Sequence, residues 1–325
     1  MEIIQYTTRR WIFFFLTAGL VIGGCSGIKR TPPPLAFLED EPAHFRAGTI
    51  IHTESGKAIK FDTLISQLAE KELVFVGEVH DNPEHHLIQV QILQALTRGR
   101  RPVVAMEFFE KSRQAVLDSY VSGILSEKEF LKGVEWNDQW RFDYHLYRPL
   151  MLHIREKRGK ILAINAPASL VRKVARSGIM SLKPHERDRI AEDIDLENKK
   201  HRDYIETVFK NHIHKDLGSF DFFYQAQCVW EDTMAESIAQ YLTKNRERVI
   251  VLSGNGHIIN KYGIPDRTSR RTDVTLATVL LKPLTGHVTL KKRESDYIWL
   301  TNDCSQRRFM THPKKWTMPR AERSE

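Results

Sequence analysis

Residues 73–86, LVFVGEVHDNPEHH, constrain the fold more tightly than any other stretch of the chain. Four apolar residues, Leu73, Val74, Phe75 and Val76, run straight into Gly77, Glu78, His80 and Asp81. Three of the four favour strands. A short unbroken apolar run of this kind is the habit of a strand buried on both faces of a parallel sheet. Asn82 and Pro83 have the chemistry of an N-cap and a first helical residue, so a helix is expected next. A buried strand that ends in carboxylate and imidazole groups just before a helix sits where open α/β sheets keep their ligand sites.

The pattern recurs three times. Residues 102–106 run into Glu107, residues 161–164 into Asn165, and residues 248–252 into SGNGH, which ends at His257. If these strands are parallel neighbours, Glu78, His80, Glu107, Asn165 and His257 meet at one sheet edge. Residues 50–61 read as a hairpin, 273–281 as a fifth strand and 296–301 as an edge strand. Asp62 opens a short amphipathic helix as its cap. Residues 180–245 carry no strand signal and read as two helices, 184–208 and 220–242. The expected fold is α/β: a mainly parallel sheet flanked by helices, with a smaller all-helical subdomain over about residues 180–245, inserted before the last core strands.

The N-terminus sets an expectation for compartment. Arg9 and Arg10 precede an apolar run, residues 11–22, that is short for a bilayer span. A charged start followed by such a run is a secretory signal. Ile22-Gly23-Gly24-Cys25 resembles a bacterial lipobox, which implies cleavage before Cys25 and a palmitate-type lipid anchor on its thiol. Ser26, rather than Asp, favours sorting to the outer membrane. The expected layout is a signal peptide over 1–24, a Pro-rich tether over 25–47, the α/β domain over 48–301 and a basic tail over 302–325.

Composition narrows the classes further. Mean hydropathy of −0.40 excludes a multi-span membrane protein. A formal net charge of +8 fits contact with anionic surfaces or an acidic ligand. The sequence has no zinc finger, helix-turn-helix or aromatic-interleaved basic motif, so no nucleic-acid partner is expected. The absence of C-x-x-C sets aside redox and c-type haem motifs. Cys228 and Cys304 leave pairing open, although a buried free thiol is the commoner state for Cys228 in its aromatic helix.

Two Gly-x-x-His motifs, GEVH at 77–80 and GNGH at 254–257, each close an apolar strand. Glycine belongs where backbone bends or approaches another group closely. Glu107, directly after a buried strand, must find partners, because an unpaired buried carboxylate costs several kcal/mol. Glu78, His80, Glu107 and His257 fit three roles: ligands for a divalent metal, an acid/base set without metal, or the polar edge of a large ligand. His85 and His86 belong to a first helical turn and are expected exposed, with His85 in reach of the same rim. Tyr144 and Tyr147, beside His145 and Arg148, form a second candidate site. Tyrosinate can ligate haem iron, and neighbouring cations lower a phenol pKa. The alternative is core packing of a Trp/Tyr-rich helix face, and Tyr120, Tyr204, Tyr224 and Tyr241 stay in play as phenols. Phe223, Gln227, Trp230 and Met234, at three- and four-residue steps, lay a mixed polar and aromatic face along one helix.

Taken together, LVFVGEVHDNPEHH, AMEFFE, residues 136–149, FFYQAQCVWEDTMAESI and VIVLSGNGHI resemble the ChaN-like haem-binding lipoproteins of the Tiki and erythromycin-esterase superfamily. The resemblance covers about residues 45–285. It implies haem held between two protomers of a homodimer, with a Tyr on iron and His and Lys near the propionates, in a protein of haem or iron uptake. An outer-membrane haem receptor is a partner consistent with that role. Candidate haem-binding residues are then Tyr144, Tyr147, His80, His85, Gln227, Trp230 and His257, the tyrosines by neighbourhood alone. Enzymatic cousins are similar in carrying Glu and His at the positions of Glu78, His80, Glu107 and His257. A metal-dependent hydrolase using those four residues is therefore the alternative.

Overall fold

A computed structural model describes residues 34–211 and 219–304. The segment expected as a signal peptide, Cys25 and the far end of the basic tail lie outside the described residues. Eleven strands are described: β1 (Ala36–Leu38), β2 (His44–Phe45), β3 (Ile50–His52), β4 (Lys57–Ile59), β5 (Leu73–Glu78), β6 (Val103–Glu110), β7 (Lys160–Asn165), β8 (Val249–Gly254), β9 (Leu276–Leu284), β10 (Val288–Leu290) and β11 (Tyr297–Asn302). The helices between them are α1 (Phe61–Leu68), α2 (Pro83–Leu96), α3 (Gln114–Val121), α4 (Glu127–Gly133), α5 (Trp136–Gln139), α6 (Tyr144–Glu156), α7 (Ala168–Ser177), α8 (Pro184–Arg187), α9 (Lys199–Asn211), α10 (Phe220–Leu242) and α11 (Ile264–Ser269).

The main sheet runs β4-β3-β11-β9-β5-β8-β6-β7, and every pairing from β11 through to β7 is parallel. Residues of β5, β6 and β8 alternate between two cores. Val74, Val76, Val104, Met106, Ile250 and Leu252 pack under α2, α3 and α6. Leu73, Phe75, Val103, Ala105, Val249 and Val251 pack under α10 and α11. Both faces are thus covered, which is why these segments read as unbroken apolar runs rather than as alternation. Truncating one such Leu or Ile to Ala costs about 2–5 kcal/mol.

The chain leaves β5 through α2 toward β6, and leaves the adjacent β8 through α11 toward β9, on opposite faces of the sheet. Strand connections that diverge in this way open a crevice at the carboxyl ends, the usual ligand position in such sheets. Asn82 caps α2 by accepting from the Glu84 N–H at 3.0 Å, with Pro83 as first helical residue. Ser126 and Glu129 form a reciprocal capping box on α4.

Three expectations change, and one question left open closes. Residues 36–45 are not tether: β1 pairs with β10 and β2 in a separate three-stranded sheet that adds Ala36, Leu38 and Phe45 to the core. The cap of α1 is Lys60, not Asp62, which lies in the first turn. The segment expected as one helix over 184–208 is helical only in α8 and α9. Between them, side chains of α10 capture the backbone: the N–H groups of Ala191, Glu192 and Asp195 donate to Thr233, Glu236 and Asp232, each at 3.0 Å. These bonds replace the helical ladder. Finally, Cys228 and Cys304 are both free thiols. Among the described residues no helix is long and apolar enough to cross a membrane.

Candidate functional site

The two Gly-x-x-His motifs end the neighbouring strands β5 and β8, in register Gly77↔Ser253 and Glu78↔Gly254. Each glycine makes room for the other motif. A Cβ on Gly77 would lie 2.1 Å from Asn255 Oδ1, and a Cβ on Gly254 would lie 2.9 Å from His80 Cε1 and 3.0 Å from its Nε2. The repeated glycine is therefore a packing requirement of two loops that interlock.

Glu78 is buried on the α2/α6 face. Its Oε1 accepts from the Tyr147 hydroxyl at 2.9 Å and lies 2.7 Å from His80 Nδ1; its Oε2 accepts from Gln89 Nε2 at 2.9 Å. Burial alone would favour the neutral acid, but His86, His80 and Gln89 outweigh it and hold the pKa down to about 2. An ionised Glu78 makes His80 Nδ1 the donor, so that in the neutral ring the lone pair lies on Nε2. Burial opposes a proton on His80, yet the hydrogen bond to Glu78 and the charge of Glu107 raise its pKa. The His80 side chain is 28% exposed. Its ring packs against the Trp140 and Phe142 pair, with centroids 4.8 and 4.9 Å away.

On the other face, Glu107 Oε2 accepts from the Gly254 N–H at 2.7 Å. Its Oε1 is 3.4 Å from His257 Nε2, while His257 Nδ1 is 3.1 Å from Glu231 Oε1. Burial would strip the proton from His257. The two flanking carboxylates win and push its pKa up to about 10, so the ring is an imidazolium with both nitrogens donating. Trp230 meets the His257 ring edge-on at 4.9 Å, and Gln227 donates to Glu231 at 2.7 Å. Glu231 Oε2 is also 3.1 Å from His201 Nε2 and 3.3 Å from Arg267 Nε. Arg267 is 1% exposed and reaches Asp232 and Cys228 as well. One acid–base chain thus links Tyr147, Glu78 and His80, and a second runs from Glu107 through His257 and Glu231 to His201 and Arg267 in the helical insert.

Glu78, His80, Glu107, Asn165, Gln227, Trp230 and His257 therefore gather at the carboxyl edge of β5, β6, β7 and β8. Asn165 Nδ2 donates to the Glu107 carbonyl at 2.6 Å. His85 does not face the rim. It is fully buried, accepts from the Val79 N–H at Nδ1 (2.8 Å) and donates from Nε2 to Thr301 (2.8 Å), pinning the loop after β5 against β11. Burial lowers its pKa to about 4. His86 is buried too and packs edge-on against Tyr147. Tyr144 and Tyr147 are core residues: Tyr147 spends its hydroxyl on Glu78, and Tyr144 meets Trp136 edge to face with its hydroxyl 3.5 Å from Glu127. Burial, and then the neighbouring acids and phenol, push both phenol pKa values up, the reverse of what a tyrosinate needs. The cation expected to help, Arg148, is engaged by Glu127 at 2.9 Å.

Among the described residues no three His, Cys, Asp or Glu side chains are grouped to hold a metal ion. The divalent-metal expectation finds no support, because Glu78–His80 and Glu107–His257 pair off as separate couples. Sequence reading missed Glu231, His201 and Arg267. Only Glu231 carried a local signal, as an acid on the Tyr224–Gln227–Cys228–Glu231 stripe of an otherwise apolar helix face.

A mainly parallel sheet under helices on both faces, with a polar rim and a helical insert, matches solved folds. A ChaN of Campylobacter jejuni with cofacial haem binding superposes with a TM-score of 0.62 at 19% identity, covering 77% of this chain and 95% of that one. An erythromycin esterase mutant in its open conformation gives 0.45 at 14%, over 73% and 77%. A MARTX toxin effector domain from Vibrio vulnificus gives 0.41 at 15%, over 70% and 37%. No curated protein matches the chain. The family model described as haem-binding uptake, Tiki superfamily, ChaN, matches residues 64–268, and the chain belongs to that family.

Proposed function

We propose that this chain binds haem at the carboxyl edge of β5, β6 and β8 as a lipid-anchored envelope protein of haem or iron uptake. The observation that carries the reading is the rim itself, in a member of a haem-binding family: a partly exposed His80 against Trp140 and Phe142, beside His257 backed by Trp230. Aromatic rings beside imidazoles suit a flat apolar macrocycle with a polar centre. The rim also keeps capacity for a guest. His80 Nε2 makes no hydrogen bond among the described residues, and the buried Asn165 Oδ1, Ser253 Oγ and Trp230 Nε1 have no partner there. Bound haem would supply an iron centre and two carboxylates. His80, Trp140, Phe142, Trp230 and His257 would hold it.

The anchor at Cys25, placement at the outer membrane, a second copy closing over the haem and delivery by an outer-membrane receptor complete the proposal. They rest on the lipobox and on the family. A tyrosine ligand, which the resemblance implies, does not fall to Tyr144 or Tyr147 with their hydroxyls enclosed. Hemin titration of the full chain tests the reading: a saturable Soret shift at one haem per chain is expected, with a doubling of sedimenting mass, and an unchanged hemin spectrum refutes it. Cys25→Ser should move the protein out of the membrane fraction. The convergence of Glu78, His80, Glu107 and His257 at adjacent strand ends also favours a second reading, hydrolysis. Esterase and peptidase panels indifferent to Glu78→Gln remove it.

A further inference from the structure

Both ends of the described domain leave from the sheet edge that carries the rim. β11 lies beside β9 in register Asn302↔Leu284, two strands from β5. Asn302 is held at the first turn of α2, where Glu84 Oε2 accepts from its N–H at 2.9 Å and from its Nδ2 at 3.2 Å. Beyond that point the chain continues into residues 305–325. At the other end, Leu35 accepts from the Val288 N–H at 3.0 Å, and Ala36 pairs with Val288, four residues after Leu284. Strand spacing and the reach of an extended chain put the two exits within about 25 Å of each other. Two large exposed apolar side chains flank them: Phe37, 37% exposed and stacked on His287 at 6.0 Å, and Leu87, 58% exposed early in α2. The segments that leave here carry one dominant sign of charge. Residues 305–325 hold six Lys/Arg against two Glu, net +4, with Phe309, Trp316 and Met318 among them, and Lys29 and Arg30 precede the N-terminal exit. Each Lys or Arg beside an anionic leaflet raises affinity about fivefold, and tryptophan settles at headgroup level.

We infer that this edge docks on an anionic lipid surface, with the Lys and Arg residues of 305–325 as its main contact and Trp316 at the headgroups, so that the carboxyl ends of β5 and β8 face the bilayer. The secretory signal expected over 1–24 leads to an envelope compartment, where the anionic surface is lipid. The contact requires neither acylation of Cys25 nor a bound haem, so it stands or falls separately from the function proposed above.

Vesicle flotation decides it, using residues 26–325, which keep every described element and lack the acylation site. Binding should occur on mixed phosphatidylglycerol and phosphatidylcholine vesicles, vanish on phosphatidylcholine alone and fall steeply with salt. Arg307→Gln, Arg308→Gln, Lys314→Gln and Lys315→Gln together should weaken it by about 100-fold or more, with Tm unchanged. Brominated lipid should quench tryptophan fluorescence, and Trp316→Phe should remove most of that quenching. On the vesicles, amide exchange should slow at 285–287 and 302–304 and stay unchanged at 98–101 and 157–159, which lie at the opposite edge of the sheet. Equal binding to both lipids, an affinity indifferent to the four Gln substitutions, or protection at the opposite edge overturns the inference. A wild type that ignores the vesicles also overturns it. In that case single-stranded DNA binding would assign the basic segment to nucleic acid, and altered exchange at 254–258 in the Gln variant would assign it to the rim.

Discussion

The interlocked glycines give the sharpest test of the rim. Gly77→Ala places a methyl 2.1 Å from Asn255 Oδ1 and 2.8 Å from Ile258 Cδ1. Restoring an ordinary contact requires about 1 Å of movement. Asn255 cannot give that freely, because its Nδ2 donates to the Leu281 carbonyl at 2.7 Å and it opens the turn that carries His257. Overpacking of this kind costs about 1–3 kcal/mol, and loss of the hydrogen bond adds about 1 kcal/mol. Gly77→Ala should therefore destabilise by about 2–4 kcal/mol in urea unfolding, a drop of about 5–15 °C in Tm. Gly254→Ala is crowded by the His80 ring, at 2.9 and 3.0 Å, and meets Glu107 Oε2 at an ordinary 3.6 Å, so a few tenths of an ångström suffice and about 1–2 kcal/mol is expected. Its larger effect should fall on hemin affinity, since the methyl crowds Nε2. Gly256 has nothing within 4 Å of its Cβ position, and Gly256→Ala should stay within about 0.5 kcal/mol of wild type. Equal melting of the Gly77 and Gly256 variants would falsify the interlocking.

Arg267→Met leaves Glu231 and Asp232 buried without their shared cation, and should cost about 3–5 kcal/mol by equilibrium denaturation; a loss under 1 kcal/mol would show that Arg270 and Arg271 suffice. Tyr147→Phe takes a buried donor from an ionised carboxylate and should cost about 1.5–3 kcal/mol. Tyr144→Phe gives up only a 3.5 Å contact and should melt like wild type, so a reversed order argues against the Glu78 network. Stability should also depend on pH through groups with opposite signs. His257 rises from 6.5 to about 10, so its contribution is whole below about pH 6.5 and is lost on the way up to pH 10. Glu78 falls from 4.5 to about 2, so its contribution is whole above pH 4.5 and is lost toward pH 2. His85, lowered to about 4, adds to the acid loss from about pH 6.5 downward. Urea midpoints should therefore peak near neutrality, and His257→Gln should flatten the alkaline limb; an unchanged alkaline slope in that variant contradicts the clamped imidazolium.

The strand ends were legible because a parallel strand buried on both faces announces itself by an apolar run that stops abruptly at polar residues. Glu78, His80, Glu107, Asn165 and His257 could be named on that ground alone. What lay hidden was set by long-range partners. His85 and His86 look solvent-facing in a first turn, yet Val79, Thr301 and Tyr147 close over them. The phenols of Tyr144 and Tyr147 look available beside Arg148, until Glu127 takes the guanidinium and Glu78 takes a hydroxyl. Residues 188–198 have helical composition, but Thr233, Asp232 and Glu236 offer their amides better acceptors than a ladder would. Arg267 meets Glu231 across 36 positions of chain, a distance at which local pattern carries no information.

The small sheet has a mechanical consequence. β1 lies between β10, parallel to it, and β2, antiparallel to it. A pull on the polypeptide ahead of Ala36, directed along that strand, loads both rows of its hydrogen bonds in shear, so they must fail together rather than unzip singly. Tension arriving from the N-terminal side is thus borne by a ribbon docked on the α10 side of the molecule, and the Gly77–Gly254 junction is spared the strain.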